Sequence, residues 1–333
     1  MHRAALTVAF AVALSAAAGA ASVRIIQTNS AGTTVHLIDP ATNSVVGVIK
    51  GIEVNHGATA DGSRFFISNE ADKTLDVVDA KTLKIVKKIE LTAHPNNVSI
   101  SKDGKRVYVA IAAAPGAVDV IDTTTLTRVK SIRTEGGIHN TYVTPDGKFV
   151  VAGSIPGRKI NVIDQKTEEI VWTLPTEEGV RPMAFETNAD GSTRRMFVEL
   201  SNFNGFVTVD FATHKVVDKI AVPEAPAGEK VTEGLQGSPA HGLAITPDGR
   251  ELAVLSKMNT RVYFYSLPDL KLAGNVKVGH HPDWLTFTPD GKRLYVANAG
   301  SNSVSVVDVT ARKELMQIPV GQVPKRNITA VLP

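Results

Sequence analysis

The sequence contains no cysteine. Disulfides, thiolate metal sites, covalent c-type haem and lipid attachment through cysteine are therefore excluded. Aromatic residues are scarce, at 5% of the chain. That leaves little for a stacking platform of the kind that binds single-stranded nucleic acid. No large excess of charge exists either. The formal net charge is +3 over 333 residues, so a polyanion such as nucleic acid is not expected as the main partner. Beyond residue 20 no apolar run approaches the ~20 residues needed to span a bilayer. Neither a Gly-x-Ser-x-Gly elbow nor a phosphate-binding loop is present.

Residues 1–20 carry an export signature. His2 and Arg3 form a short positive start, Ala4 to Ala13 is apolar, and Ala18-Gly19-Ala20 offers small residues for cleavage. The expectation is a signal peptide over 1–20, a single domain over 21–333 and a periplasmic or secreted bacterial location. Without disulfides, such a protein is stabilised by packing alone.

The rest of the chain is built on six Asp-Gly turns: Asp61-Gly62, Asp103-Gly104, Asp146-Gly147, Asp190-Gly191, Asp248-Gly249 and Asp290-Gly291. Their spacings are 42, 43, 44, 58 and 42 residues. Asp-Gly suits a tight hairpin because both residues tolerate positive φ. Short alternating strands follow, such as Arg106 to Ala110 and Leu294 to Asn298. A second corner recurs as Asp79-Ala-Lys-Thr, Asp122-Thr-Thr-Thr and Asp164-Gln-Lys-Thr. There Asp and Thr side chains fix the turn through local hydrogen bonds. A period near 42 with four short strands, A to D, predicts β-propeller blades. Six units begin near residues 54, 94, 138, 181, 240 and 281. Strands near Val23, Thr34 and Ser44, joined by Asn327 to Val331, make the seventh. The expected fold is all-β, a seven-bladed ring closed by pairing of the C-terminal strand with N-terminal strands.

The segment Pro289-Asp-Gly-Lys-Arg-Leu-Tyr-Val-Ala-Asn298 resembles the YVTN family of β-propeller repeats. That resemblance implies an extracytoplasmic seven-bladed propeller. Its relatives include surface-layer, lactonase-like and haem d1-type propellers. It is specific for fold and says little about function.

Connectivity places the starts of the A strands, the B–C loops and the D-to-A connections on one face, around the channel mouth. Histidine concentrates there by sequence: His56, His94, His139, His241 and His281. His139 and His241 lie seven residues before the Asp of their turn. His94 and His281 lie nine before it, with Arg181 equivalent to them. Lys325 stands in the seventh unit, and Asn96, Asn140 and Asp283 are polar neighbours. The long step before Asp248 reflects an insertion, Pro223 to Pro239, expected to hang over the same face. Glu186 and Glu199, within the strands of the fourth unit, are expected to pair with Arg194 or Arg195.

Three interpretations of this mouth remain open. Imidazoles such as His139, His241 and His56 could hold a transition metal or a haem-type cofactor. His, Arg and Asn donors could bind a small polar or anionic ligand, or a protein partner. The residues could also serve the repeat structure alone. Two registers of histidine fit a loose polar bowl better than one tight metal ring. The expected function is a binding propeller. The alternative is a propeller enzyme, either a lactonase-like hydrolase or a redox protein using the same mouth.

Overall fold

The computed structural model describes residues 21–229, 235 and 237–333. The proposed signal peptide, 1–20, and part of the 223–239 insertion lie outside the described residues. Among the described residues every regular element is a β-strand, and no helix is long and apolar enough to cross a membrane.

Seven four-stranded antiparallel sheets form the molecule. Blade 1 runs from Asn55 to Glu90, blade 2 from Pro95 to Arg133 and blade 3 from Ile138 to Pro175. Blade 4 runs from Val180 to Ala221, blade 5 from Ala240 to Lys277 and blade 6 from Pro282 to Pro319. Blade 7 takes its strand A from Pro324–Leu332 and strands B to D from Ser22–Asn29, Thr34–Asp39 and Ser44–Lys50. The closing pair is antiparallel, with Val23 opposite Val331 and Gln27 opposite Asn327. The A strands touch one another in sequence around the ring, including blade 7 against blade 1. The structure is therefore the closed seven-bladed propeller that the repeats predict, in which the inner edges are short and protected around the channel.

Its core is distributed between blades. There are seven buried apolar clusters, one at each blade–blade interface. Blades 5 and 6, for example, meet through Leu255, Phe264, Leu285 and Phe287. Alternation along strands B and C supplies these side chains from both faces, so each central strand is buried throughout. The outermost strands are wetter and leave Val86, Val129 and Val217 exposed.

The turns follow the sequence closely. Asp146 Oδ1 accepts from Thr144 Oγ1 at 2.7 Å and Lys148 N at 3.1 Å. Asp290 repeats the pattern with Thr288 and Lys292. The glycines behind these aspartates sit at φ of 73° and 69°, in the left-handed region.

Candidate functional site

Strand register defines a ring at the mouth. Asn55, Ile138, Ala240 and Pro324 each begin strand A opposite the end of strand B. Pro95, Val180 and Pro282 do the same in the other three blades. The next residue in each blade is polar: His56, Asn96, His139, Arg181, His241, Asp283 and Lys325. Each blade contributes one. Arg181 thus belongs with His139 and His241, not with His94 and His281. Blade 4's strand A has eight residues instead of six, and the extra residues lengthen the count to its turn. His94 and His281 stand one residue before the strand start, two before the ring position, on the rim. His281 sits there at φ 48°, as do Val54 at 49° and Val323 at 52° in blades 1 and 7. These backbone reversals, unusual for a β-branched residue, turn the chain into the ring.

At the centre lies Arg326, which the sequence analysis did not single out. It is 1% exposed and the largest fully buried side chain described. It donates to Asn140 Oδ1 and Asn96 Oδ1, each at 2.7 Å, and lies over the Trp284 ring. Burial pulls its guanidinium pKa down to about 10, against the nearby Tyr142, Asp283 and Glu70. It remains a cation at neutral pH.

Arg326 also orders its neighbours. Because Asn140 Oδ1 accepts from Arg326, Asn140 Nδ2 is the group facing His139 Nδ1, at 2.7 Å. His139 Nδ1 must accept, so the neutral ring carries its proton on Nε2. His241 is the reverse. Its Nδ1 donates to the Asp283 carbonyl oxygen at 2.8 Å, leaving the Nε2 lone pair free of a proton. The two rings meet edge to face with centroids 5.5 Å apart. Burial first, then the surrounding cations, hold both imidazoles well below their usual pKa. They are neutral at pH 7 and present complementary polarity, an N–H donor beside a lone pair.

Two charged clusters flank this pair. Asp283, fully buried, takes Lys257 Nζ at 2.8 Å and Lys325 Nζ at 3.4 Å on Oδ1. Burial opposes its ionisation, but Lys325, His241 and Lys257 outweigh that and hold it well below the usual carboxylate range. On the other side Glu70 accepts from His56 Nδ1 and lies 3.2 Å from His94 Nε2. Glu70 follows strand B of blade 1, and nothing in its spacing marks it as the partner of two histidines. Burial lowers the pKa of His56, with the Glu70 hydrogen bond working against it.

Glu186 does pair with Arg195, at 2.5 Å, and with Arg194. Glu199 does not. It is fully buried beneath the ring and accepts from Gly242 N at 2.6 Å. Burial pushes its carboxyl well above the usual range, with the Asp283 charge adding to the effect. Arg181 Nε donates to Ser201 Oγ at 2.9 Å, on the wall between blades 4 and 5.

Among the described residues no three His, Asp or Glu side chains converge as a metal site. The expected set of His56, His139 and His241 does not form one. His139, whose Nδ1 accepts from Asn140, carries its proton on Nε2, so only His56 and His241, whose Nδ1 atoms donate to Glu70 and the Asp283 carbonyl, keep a lone pair for a ligand. A guanidinium also sits among the rings, where a further cation would be repelled.

Comparisons with known proteins agree on the fold. A Cytochrome D1 heme domain matches residues 22–153 and a Choice-of-anchor I domain matches 165–324. Each covers less than half of the chain. No curated protein sequence matches. Among solved structures, hydrazine synthase of Kuenenia stuttgartiensis is 24% identical over 85% of this chain and 92% of that one, with a TM-score of 0.72. The periplasmic gluconolactonase PpgL of Pseudomonas aeruginosa is 20% identical over 94% and 100%, with a TM-score of 0.74. The dihydro-heme d1 dehydrogenase NirN is 14% identical over 88% and 63%, with a TM-score of 0.64. At these identities the likeness is one of fold.

Proposed function

We propose that the protein is an exported binding propeller whose mouth takes a small hydroxylated carboxylate. Residues 1–20 are its signal peptide, 21–333 its single domain and the periplasm its compartment. The observation that carries the ligand class is the neutral His139–His241 pair set among Arg181, Lys257, Lys325 and Arg326. A hydroxyl both donates and accepts, which suits an N–H beside a lone pair. A carboxylate suits the cations, which outnumber the ionised carboxylates Asp283 and Glu70.

Calorimetric titration with gluconate tests this, with glucose and acetate as controls. Gluconate binds, while glucose and acetate, each lacking one of the two features, bind far more weakly. Lys325→Gln and Arg181→Gln each weaken binding by about 10- to 150-fold, the worth of one charge-assisted hydrogen bond. Equal affinity in wild type and both variants overturns the assignment. Mass spectrometry of the protein from a periplasmic fraction tests the signal peptide, and an intact N-terminus rejects it.

The match to a Cytochrome D1 heme domain over 22–153 supports a second reading, a haem-type cofactor at the same mouth. The residues fit such a group in part. His241 and His56 would each offer an unprotonated Nε2 to its iron, and Arg181 and Lys325 would suit its carboxylates. The group itself would supply one-electron chemistry. A haemin titration that gives a shifted absorption band in wild type, and none in His56→Ala and His241→Ala, supports this reading. Unchanged spectra in all three reject it. The lactonase neighbours share the fold only, and no hydrolysis is proposed from them.

A further inference from the structure

Arg326 closes the channel from the mouth side, but the channel continues beneath it. A cavity of about 530 Å³ runs from Arg326 and Trp284 to the opposite face, near Gly62 and Val331. Hydroxyl-bearing residues punctuate its wall: Thr59, Ser99, Thr141, Tyr142, Thr286 and Thr329. Its lining contains no Asp or Glu.

The roof of this chamber is electrostatically incomplete. Arg326 has neutral amide partners, and no carboxylate lies within ion-pair distance of it among the described residues. Its Nε is buried and unpartnered. Ser99 Oγ, on the same wall, is also buried without a partner. The buried carboxylates Asp283 and Glu186, by contrast, are matched. Asp283 has two lysines and Glu186 two arginines. An ion held away from water with no counter-charge is costly. The Trp284 face offsets a part of that cost.

We propose that this chamber is a second, separate site that takes a small oxyanion, of the class of phosphate, sulfate or a short monocarboxylate. The anion enters from the face of the Asp-Gly turns and accepts from Arg326 Nε–H and the wall hydroxyls. It does not use Arg181, Lys257 or Lys325, which lie on the mouth side, so it stands or falls apart from the gluconate assignment. Because one guanidinium roofs the chamber and floors the mouth, occupancy of either site alters the other.

Trp284 provides the readout. The only other tryptophan, Trp172, stacks on His214 at a centroid distance of 4.1 Å on the outer strands, and Trp172→Phe leaves Trp284 as sole reporter. The full chain is titrated with sodium phosphate, sodium sulfate and sodium formate at constant ionic strength set by chloride. At least one gives a saturable change in Trp284 emission. Ser99→Leu, which fills the chamber, weakens that response by about tenfold or more. Lys325→Gln, at the mouth, moves it less than twofold. Thr286→Val, nearly isosteric, replaces Ser99→Leu if the latter does not fold, and weakens binding in the same direction. No saturable response to any of the three anions overturns the proposal. So does a response abolished by Lys325→Gln and untouched by the chamber variant, which assigns the ion to the mouth.

Discussion

The guanidinium carbon of Arg326 lies 4.2 Å from the centroid of the Trp284 ring. Arg326 comes from blade 7 and Trp284 from blade 6, each at the third residue of its strand A. The same guanidinium reaches Asn96 in blade 2 and Asn140 in blade 3. One side chain therefore ties four blades together across the axis.

Replacement of that side chain is expected to be costly even when charge is kept. Arg326→Lys cannot satisfy Asn96 and Asn140 with the same planar fork. Two buried amide oxygens lose their donors, at about 1–3 kcal/mol each. Equilibrium urea unfolding measures this, and an unchanged midpoint would refute the clamp.

Acidification is expected to destabilise the fold through the neutral histidines. His139 and His241 are lowered well below their usual value by burial, and His56 is lowered too. Below about pH 6.5 the unfolded chain takes up protons that the folded chain refuses, so stability falls as pH falls. Melting temperatures between pH 7.5 and 5 should drop in wild type. They should drop less in His139→Gln/His241→Gln.

Glu199 works with the opposite sign. Its folded-state value is raised by burial, so the folded chain keeps a proton that the unfolded chain gives up. Its contribution is lost as pH rises above the ordinary glutamate range. Glu199→Gln retains an acceptor for Gly242 N and removes the penalty of ionisation. The variant is expected to be more stable than wild type at pH 8, with a smaller difference at pH 5. Equal pH profiles would show that Glu199 is ionised in the fold.

Gly57, beside His56, packs on the backbone of blade 2. An added Cβ would lie 2.7 Å from the Asn96 carbonyl oxygen and 2.8 Å from Asn97 Cα. Backbone cannot move aside as a side chain does. Gly57→Ala is expected to destabilise by roughly 1–3 kcal/mol or more, the usual cost of overpacking. A lower urea midpoint with an unchanged slope is the expected result.

Removal of residues 324–333 takes away the inner strand of blade 7 and Arg326 together. Strand B of blade 7 then loses its pairing partner, and blades 1 and 6 lose a packing neighbour. The truncated chain is expected to elute as aggregate and to melt without a cooperative transition. A monomer with native strand content would contradict closure by this strand.

The fold was legible because its turns are local. Asp146-Gly147 and its equivalents are fixed by bonds within five residues, and a period survives in the sequence whatever the ring does. The site is legible only in part. His139, His241 and Asp283 could be placed by counting back seven residues from those turns, whereas His56 lies only five before Asp61. Counting failed at Arg181, where two extra residues in strand A hide the register. Arg326 has no Asp-Gly turn to count from, because its strand is followed by no hairpin. Glu199, Glu70 and Lys257 reach the mouth from strand B or the B–C loops, and only their distances to Gly242, His56 and Asp283 single them out.

Blade 7 is assembled from both ends of the described chain, and Arg326 rides on a strand that leaves the ribosome after the other twenty-seven described strands. The ring members of blades 1 to 6 can be synthesised, and their blades folded, before this hub exists. A nascent or prematurely ended product would therefore present an unfinished mouth. Ligand capture would report that translation had run through Arg326, and the protein would become active all at once.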